Sequence, residues 1–170
     1  MLPTFGALLL RLALTRLADY DCPDEQPPRE DQMTDRIQWQ TAQAPTLADF
    51  EQLAASAWIK LPGEFRKLCG DLIIRVEDFA LDQVLDELDI ESPFDLMGLY
   101  QGVSVDKKSV SDVPQEPDMV FLYRRAILDF WADGDENLGE IITHVLVHEI
   151  GHHFGFSDAD MEELEAGAGG

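Results

Sequence analysis

Residues 137–158 read NLGEIITHVLVHEIGHHFGFSD, and the rest of the chain is understood from this stretch outward. Its centre, His148-Glu149-Ile150-Gly151-His152, is an H-E-x-x-H sequence, which Gly155 and Asp158 extend to HExxHxxGxxD. Asn137 with Glu140 makes a capping box, and Asp133-Gly134-Asp135 before it reads as a turn. Together these predict a helix over residues 138–153. Leu138, Ile141, Val145, His148 and His152 form one stripe along it. Ile142, Leu146, Val147 and Ile150 make most of the remaining surface apolar, as in a buried helix. Gly155 stands where a left-handed residue would end the helix.

On that helix His148 and His152 lie one turn apart, with Cβ atoms about 6 Å from each other. Two imidazoles so placed can converge on one Zn²⁺, each nitrogen about 2.0–2.1 Å from the ion. Glu149, next in sequence, can reach a water on that ion as general base without ligating the ion itself. Beyond Gly155 the chain can fold back and offer Asp158 as a third ligand. That leaves open the fourth position that separates catalytic from structural zinc sites. Asp158 equally suits the first turn of a short helix beginning at Ser157, where the dipole favours an acid, so ligand and helix cap both stand as readings. All four histidines fall within residues 144–153, and each would need hydrogen-bond partners if it were merely buried. His144, His148 and His152 span about 12 Å of helix, too far for one ion to hold all three. His144 is therefore expected beside the site, and His153 as a hydrogen-bonding neighbour.

The chain carries a net charge of −22 over 170 residues. That acidity argues against nucleic acid and anionic membrane as partners, and favours peptide or unfolded polypeptide. Cys22 and Cys69 match neither a disulfide framework nor a CxxC zinc pattern, so a reducing, cytoplasmic setting is the expectation. Met1–Ala18 lacks a basic start and is broken by Arg11 and Arg16, unlike a targeting segment, and no apolar run is long enough to span a bilayer. Residues 1–45 read as an extension and an acidic, proline-rich linker with too little apolar surface to fold. Residues 46–165 read as one domain and 166–170 as a flexible tail.

Within the domain, Thr46 and Asp49 cap a helix with Phe50, Leu53, Ala54, Ala57 and Trp58 on one face. Residues 71–78, DLIIRVED, alternate as a strand. Leu81, Val84, Leu85 and Leu88 mark a short helix. Residues 96–104, LMGLYQGVS, read as a second strand whose glycines suggest a bulge or close backbone approach. A polar loop over 105–118 precedes a third strand, MVFLY at 119–123, and a helix over 124–131. Helices and strands mix without regular alternation, so the fold class is α+β.

These pieces resemble the zincins, and most closely the small bacterial zincin-like metallopeptidases. The resemblance runs from about Thr46 to Leu164. It includes Leu61–Phe65 (LPGEF), Val76-Glu77-Asp78, Gly98-Leu99-Tyr100-Gln101-Gly102, Phe121-Leu122-Tyr123 and, most specifically, His148–Gly155 (HEIGHHFG). It implies a minimal zincin fold, a small mixed sheet packed on the active-site helix, with Asp158 at the offset of the third ligand. HExxHxxGxxD also resembles the metzincin signature with its last His replaced by Asp. Only residues 159–170 follow, too few for the long C-terminal portion of metzincins.

The expected function is zinc-dependent peptide hydrolysis, with one Zn²⁺ on His148, His152 and Asp158 and Glu149 as general base. Tyr100 and Tyr123 are candidates to assist at the carbonyl oxygen, although a half-buried strand aromatic accounts for each more simply. An exposed edge strand, with residues 96–104 the candidate, would pair with an extended substrate. The alternative is a non-catalytic metal-binding or interaction module on the same scaffold. Glu149 separates the two, because a purely structural site gains nothing from a carboxylate beside an open coordination position.

Overall fold

The computed structural model describes residues 41–107 and 117–168. The expected extension therefore lies mostly outside the described residues, as does most of the expected loop over 105–118. The elements are α1 (Leu47–Lys60), α2 (Gly63–Leu68), β1 (Ile73–Glu77), α3 (Asp82–Leu88), β2 (Gly98–Gln101), β3 (Met119–Tyr123), α4 (Arg124–Asp133), α5 (Leu138–His153) and α6 (Asp158–Ala168). Short 3-10 turns occupy Pro93–Asp95 and Val105–Lys107. The architecture is α+β: helices around a small mixed sheet ordered β1-β3-β2, with β1 parallel and β2 antiparallel to the central β3.

The period-two pattern of β3 divides the core. Val120 and Leu122, both fully buried, face the main core. Phe121 and Tyr123 turn to a second cluster with Leu85, Ala80 and Ala126. Helix α5 lies in the main core against β2, β3, α1 and α4. Ile142, Leu146, Val147 and Ile150 are each 0 % exposed, which is why its sequence is apolar nearly all round. Its start carries the Asn137–Glu140 capping box. Helix α1 begins with the Thr46–Asp49 box and lays Phe50, Ala54 and Ala57 into the same core.

Several boundaries differ from the sequence expectation: β1 covers Ile73–Glu77 of the expected 71–78, and α4 runs to Asp133, past the expected 131. Strand β2 is four residues rather than the run 96–104. Its C-terminal end is turned by Asp118, whose Oδ1 accepts the backbone N–H of Val103 at 3.2 Å in place of a strand partner. Helix α6 continues to Ala168, into the stretch 166–170 expected as a tail. No helix among the described residues is long and apolar enough to cross a membrane.

Phe50 is the test of this core, since it packs α1 into the cluster that surrounds α5. Phe50→Ala is expected to cost about 3–5 kcal/mol, the usual range for emptying a buried aromatic site. Urea unfolding would measure it, and a cost below about 1 kcal/mol would mean that α1 does not pack as described.

Candidate metal centre

The site is made by the way α5 ends. Its last residues close a Schellman turn: Gly155 N–H donates to His152 O at 2.9 Å and Phe156 N–H to Gly151 O at 3.1 Å. This turn needs a left-handed residue, and Gly155 supplies it at φ +89°. Two consequences follow. The carbonyl of Phe156 comes to 2.9 Å from His152 Nδ1. A carbonyl only accepts, so Nδ1 carries the proton and the Nε2 lone pair is left facing the site. The chain also reverses, and α6 begins with Asp158 beside the two histidines.

Asp158 Oδ1 stands 3.3 Å from His148 Nε2 and 3.2 Å from His152 Nε2. Two donors about 2.0–2.1 Å from one tetrahedral zinc are about 3.3 Å apart, so both separations fit a shared ion. The donor atoms of His148, His152 and Asp158 all lie within 4.8 Å of one another. Two imidazoles and one carboxylate are also a donor set that zinc takes readily. The two readings of Asp158 prove compatible. It occupies the first turn of α6, while the cap is Ser157, whose Oγ accepts the N–H of Asp160 at 3.3 Å as Asp160 Oδ2 accepts the N–H of Ser157 at 2.8 Å.

Glu149 is 7 % exposed, an unusual position for a carboxylate. Burial pushes its carboxyl above the ordinary range. Charge on His152 and His148 and a hydrogen bond from the Tyr100 N–H oppose the rise, and Asp158 adds to it. Room for this carboxylate comes from Gly98, where a Cβ would meet Val145 Cγ1 at 2.7 Å and Glu149 Oε1 at 2.8 Å. The close approach that the glycines of 96–104 suggested is thus that of β2 to α5 at Gly98.

The remaining candidates are placed around this group. His144 is exposed, its ring centroid 6.5 Å from that of His148. His153 is buried, and its Nδ1 lies 3.3 Å from the Tyr100 hydroxyl, which itself donates to Asp118 Oδ1 at 2.9 Å. Burial and Asp118 both hold that hydroxyl in its protonated form. Tyr100 thus meets Glu149 through its backbone, while its hydroxyl is engaged with Asp118. Tyr123 is buried in the second cluster, where burial and the charges of Glu149 and Glu77 push its hydroxyl up to about 12. Gly98, Asp118 and the Phe156 carbonyl were not singled out from sequence. Of these only Gly98 carried a signal there, as a glycine inside a strand.

His148, Glu149, His152 and Asp158 line one cleft of about 520 Å³ with Leu88, Leu96, Met97, Leu99 and Val145. The sequence model of the zincin-like metallopeptidase family matches residues 69–168. The chain belongs to that family, and its helices with a small mixed sheet are a zincin-like fold. A comparison with curated proteins gave no match. Family membership implies zinc, and the His/His/Asp cluster is where this chain has the donors for it.

Metal analysis is expected to find about one Zn²⁺ per chain. His148→Ala and His152→Ala should each abolish stoichiometric binding. Asp158→Ala should weaken it by an order of magnitude or more while α6 keeps its Ser157–Asp160 cap. Full zinc retention in either histidine variant would refute the assignment.

Proposed function

We propose that this protein is a zinc-dependent peptidase acting on extended or unfolded polypeptide. The observation that carries this is Glu149: a buried carboxylate outside the three-donor cluster, lining the same cleft as all three donors. His148, His152 and Asp158 would hold the metal, which when bound supplies Lewis acidity to a carbonyl and to water. Glu149 takes the proton of the attacking water and delivers it to the leaving nitrogen. Burial strengthens its hold on a proton, which suits a group that must carry one between two steps. The Tyr100 N–H and the space at Gly98 keep the carboxylate aimed.

The substrate reading rests on β2, an edge strand of the sheet. Met97 O faces β3, accepting the N–H of Tyr123 at 2.8 Å, whereas the Tyr100 N–H faces α5. In an antiparallel strand the N–H and C=O of one residue point the same way and alternate from residue to residue. Gly98 and Tyr100 therefore turn their backbone groups away from β3; Glu149 takes the Tyr100 N–H on that side, and an extended peptide would pair with the Gly98 N–H and C=O and the Tyr100 C=O. The walls from Leu88, Leu96 and Leu99 suit a bulky apolar side chain near the scissile bond. Among the described residues no Lys or Arg lines this cleft, and its Asp95, Glu149 and Asp158 would disfavour acidic side chains there.

Glu149→Gln keeps shape while removing the base. Zinc content and fold should be retained, and cleavage of short apolar-containing peptides should fall by about 10²–10⁴-fold. Equal cleavage by both proteins would identify a contaminating protease. Absence of any cleavage by zinc-loaded wild type would instead favour a non-catalytic module.

A further inference from the structure

We infer that Met161 is a positioning residue for the metal site, acting through Asp158 by seating α6 in a notch at Gly151; this rests on the ligand assignment above. Gly151 lies on α5 between the two histidines, and it is buried. A Cβ there would run into Met161 Sδ, and would stand 2.9 Å from Met161 Cε and 3.4 Å from Cγ. The methionine side chain thus fills the space that the missing Gly151 side chain leaves, and it is 0 % exposed.

Met161 is three positions after Asp158 on α6, hence on a neighbouring part of the same helix face. Asp158 itself is 81 % exposed, so packing of its own side chain does little to hold it. The Ser157–Asp160 box sets where α6 starts, with Ser157 Oγ donating to Asp160 Oδ2 at 2.6 Å. It does not set how near α6 lies to α5. That distance is governed by the buried residues of α6 that reach the core, Met161 first and Leu164 a turn later. An unbranched thioether can enter a slot one glycine wide, whereas a branched side chain spreads at Cγ. The depth of Met161 in the notch therefore sets the separation of Asp158 from His148 and His152.

The test is a metal-affinity cycle on the full chain, using competing chelator titrations with Zn²⁺ and absorption of the Co²⁺-loaded protein. Met161→Ala and Gly151→Ala should each weaken Zn²⁺ binding by about 10–100-fold, the range for residues that support metal ligands. Their Co²⁺ spectra should shift toward that of Asp158→Ala. In an Asp158→Ala background, Met161→Ala should cost little further affinity, because the ligand it positions is gone. If Met161→Ala does not fold, Met161→Leu, close in volume, serves in the same cycle and should show a smaller loss with the same dependence on Asp158. Unchanged affinity in the Met161 variants, or an equal loss with and without Asp158, would overturn the inference while leaving the metal site standing. A wild-type protein that takes up no zinc would overturn both.

Discussion

The structure depends on one constraint: a helix that is buried on nearly every side must also deliver a carboxylate and two imidazoles to solvent-accessible space. Apolar burial of Ile142, Leu146, Val147 and Ile150 fixes α5 in the core, and fully burying side chains of this kind contributes about 1.5–3 kcal/mol each before entropy is counted. His148, Glu149 and His152 all fall in its C-terminal half, lining a cleft with the residues of β2. There Gly98 lets the strand backbone come close enough for the Tyr100 N–H to satisfy Glu149. Without such a donor, a carboxylate only 7 % exposed would be a heavy liability. The sheet edge and the helix therefore define each other's position through that carboxylate.

The end of α5 resolves a second conflict. A helix terminus leaves carbonyls unpaired, and the Schellman turn at Gly155 pairs two of them. The same turn presents the Phe156 carbonyl to His152 and reverses the chain toward Asp158. One glycine thus ends the helix, fixes an imidazole tautomer and returns the third donor. Gly151, a turn earlier, admits Met161 and so brings α6 down beside that donor. The three glycines of this region serve different ends: Gly98 leaves space for a carboxylate, Gly151 leaves space for a thioether, and Gly155 supplies a positive φ.

Much of this was legible in the residues. The limits of α5, the capping boxes at Thr46 and Asn137 and the role of Gly155 follow from local chemistry, which operates over four or five neighbours. The apolar surround of α5 announced its burial. What could not be read is long-range. Asp118 meets Tyr100 and Val103 across 18 and 15 positions, and shortens β2 by taking a backbone donor that a ladder would otherwise use. Periodicity carries no trace of such a contact. The choice between ligand and cap for Asp158 was also not local, since both roles use the same residue at the same offset. The hydrogen bonds between Ser157 and Asp160 give the cap to Ser157, and the return of the chain brings Asp158 within 3.3 Å of His148.

Charge sets the setting in which this site works. With −22 on 170 residues, the surface field attracts cations, whether a divalent metal or a basic peptide, and repels acidic chains. That attraction fades over about 8–10 Å at physiological salt, so it governs encounter rather than the contacts in the cleft. Inside the cleft the selection is of another kind, made by the aliphatic walls from Leu88, Leu96 and Leu99 and by the carboxylates of Asp95, Glu149 and Asp158. On the peptidase reading proposed above, field and walls would favour the same class of partner, an extended segment that is apolar near the cleaved bond and poor in acids around it. A folded protein seldom exposes such a segment, because its apolar side chains are buried and its strand edges are paired or protected. An unfolded one does, and on the same reading β2, an edge strand among the described residues that lies beside His148, His152 and Asp158, is the surface on which it would be held.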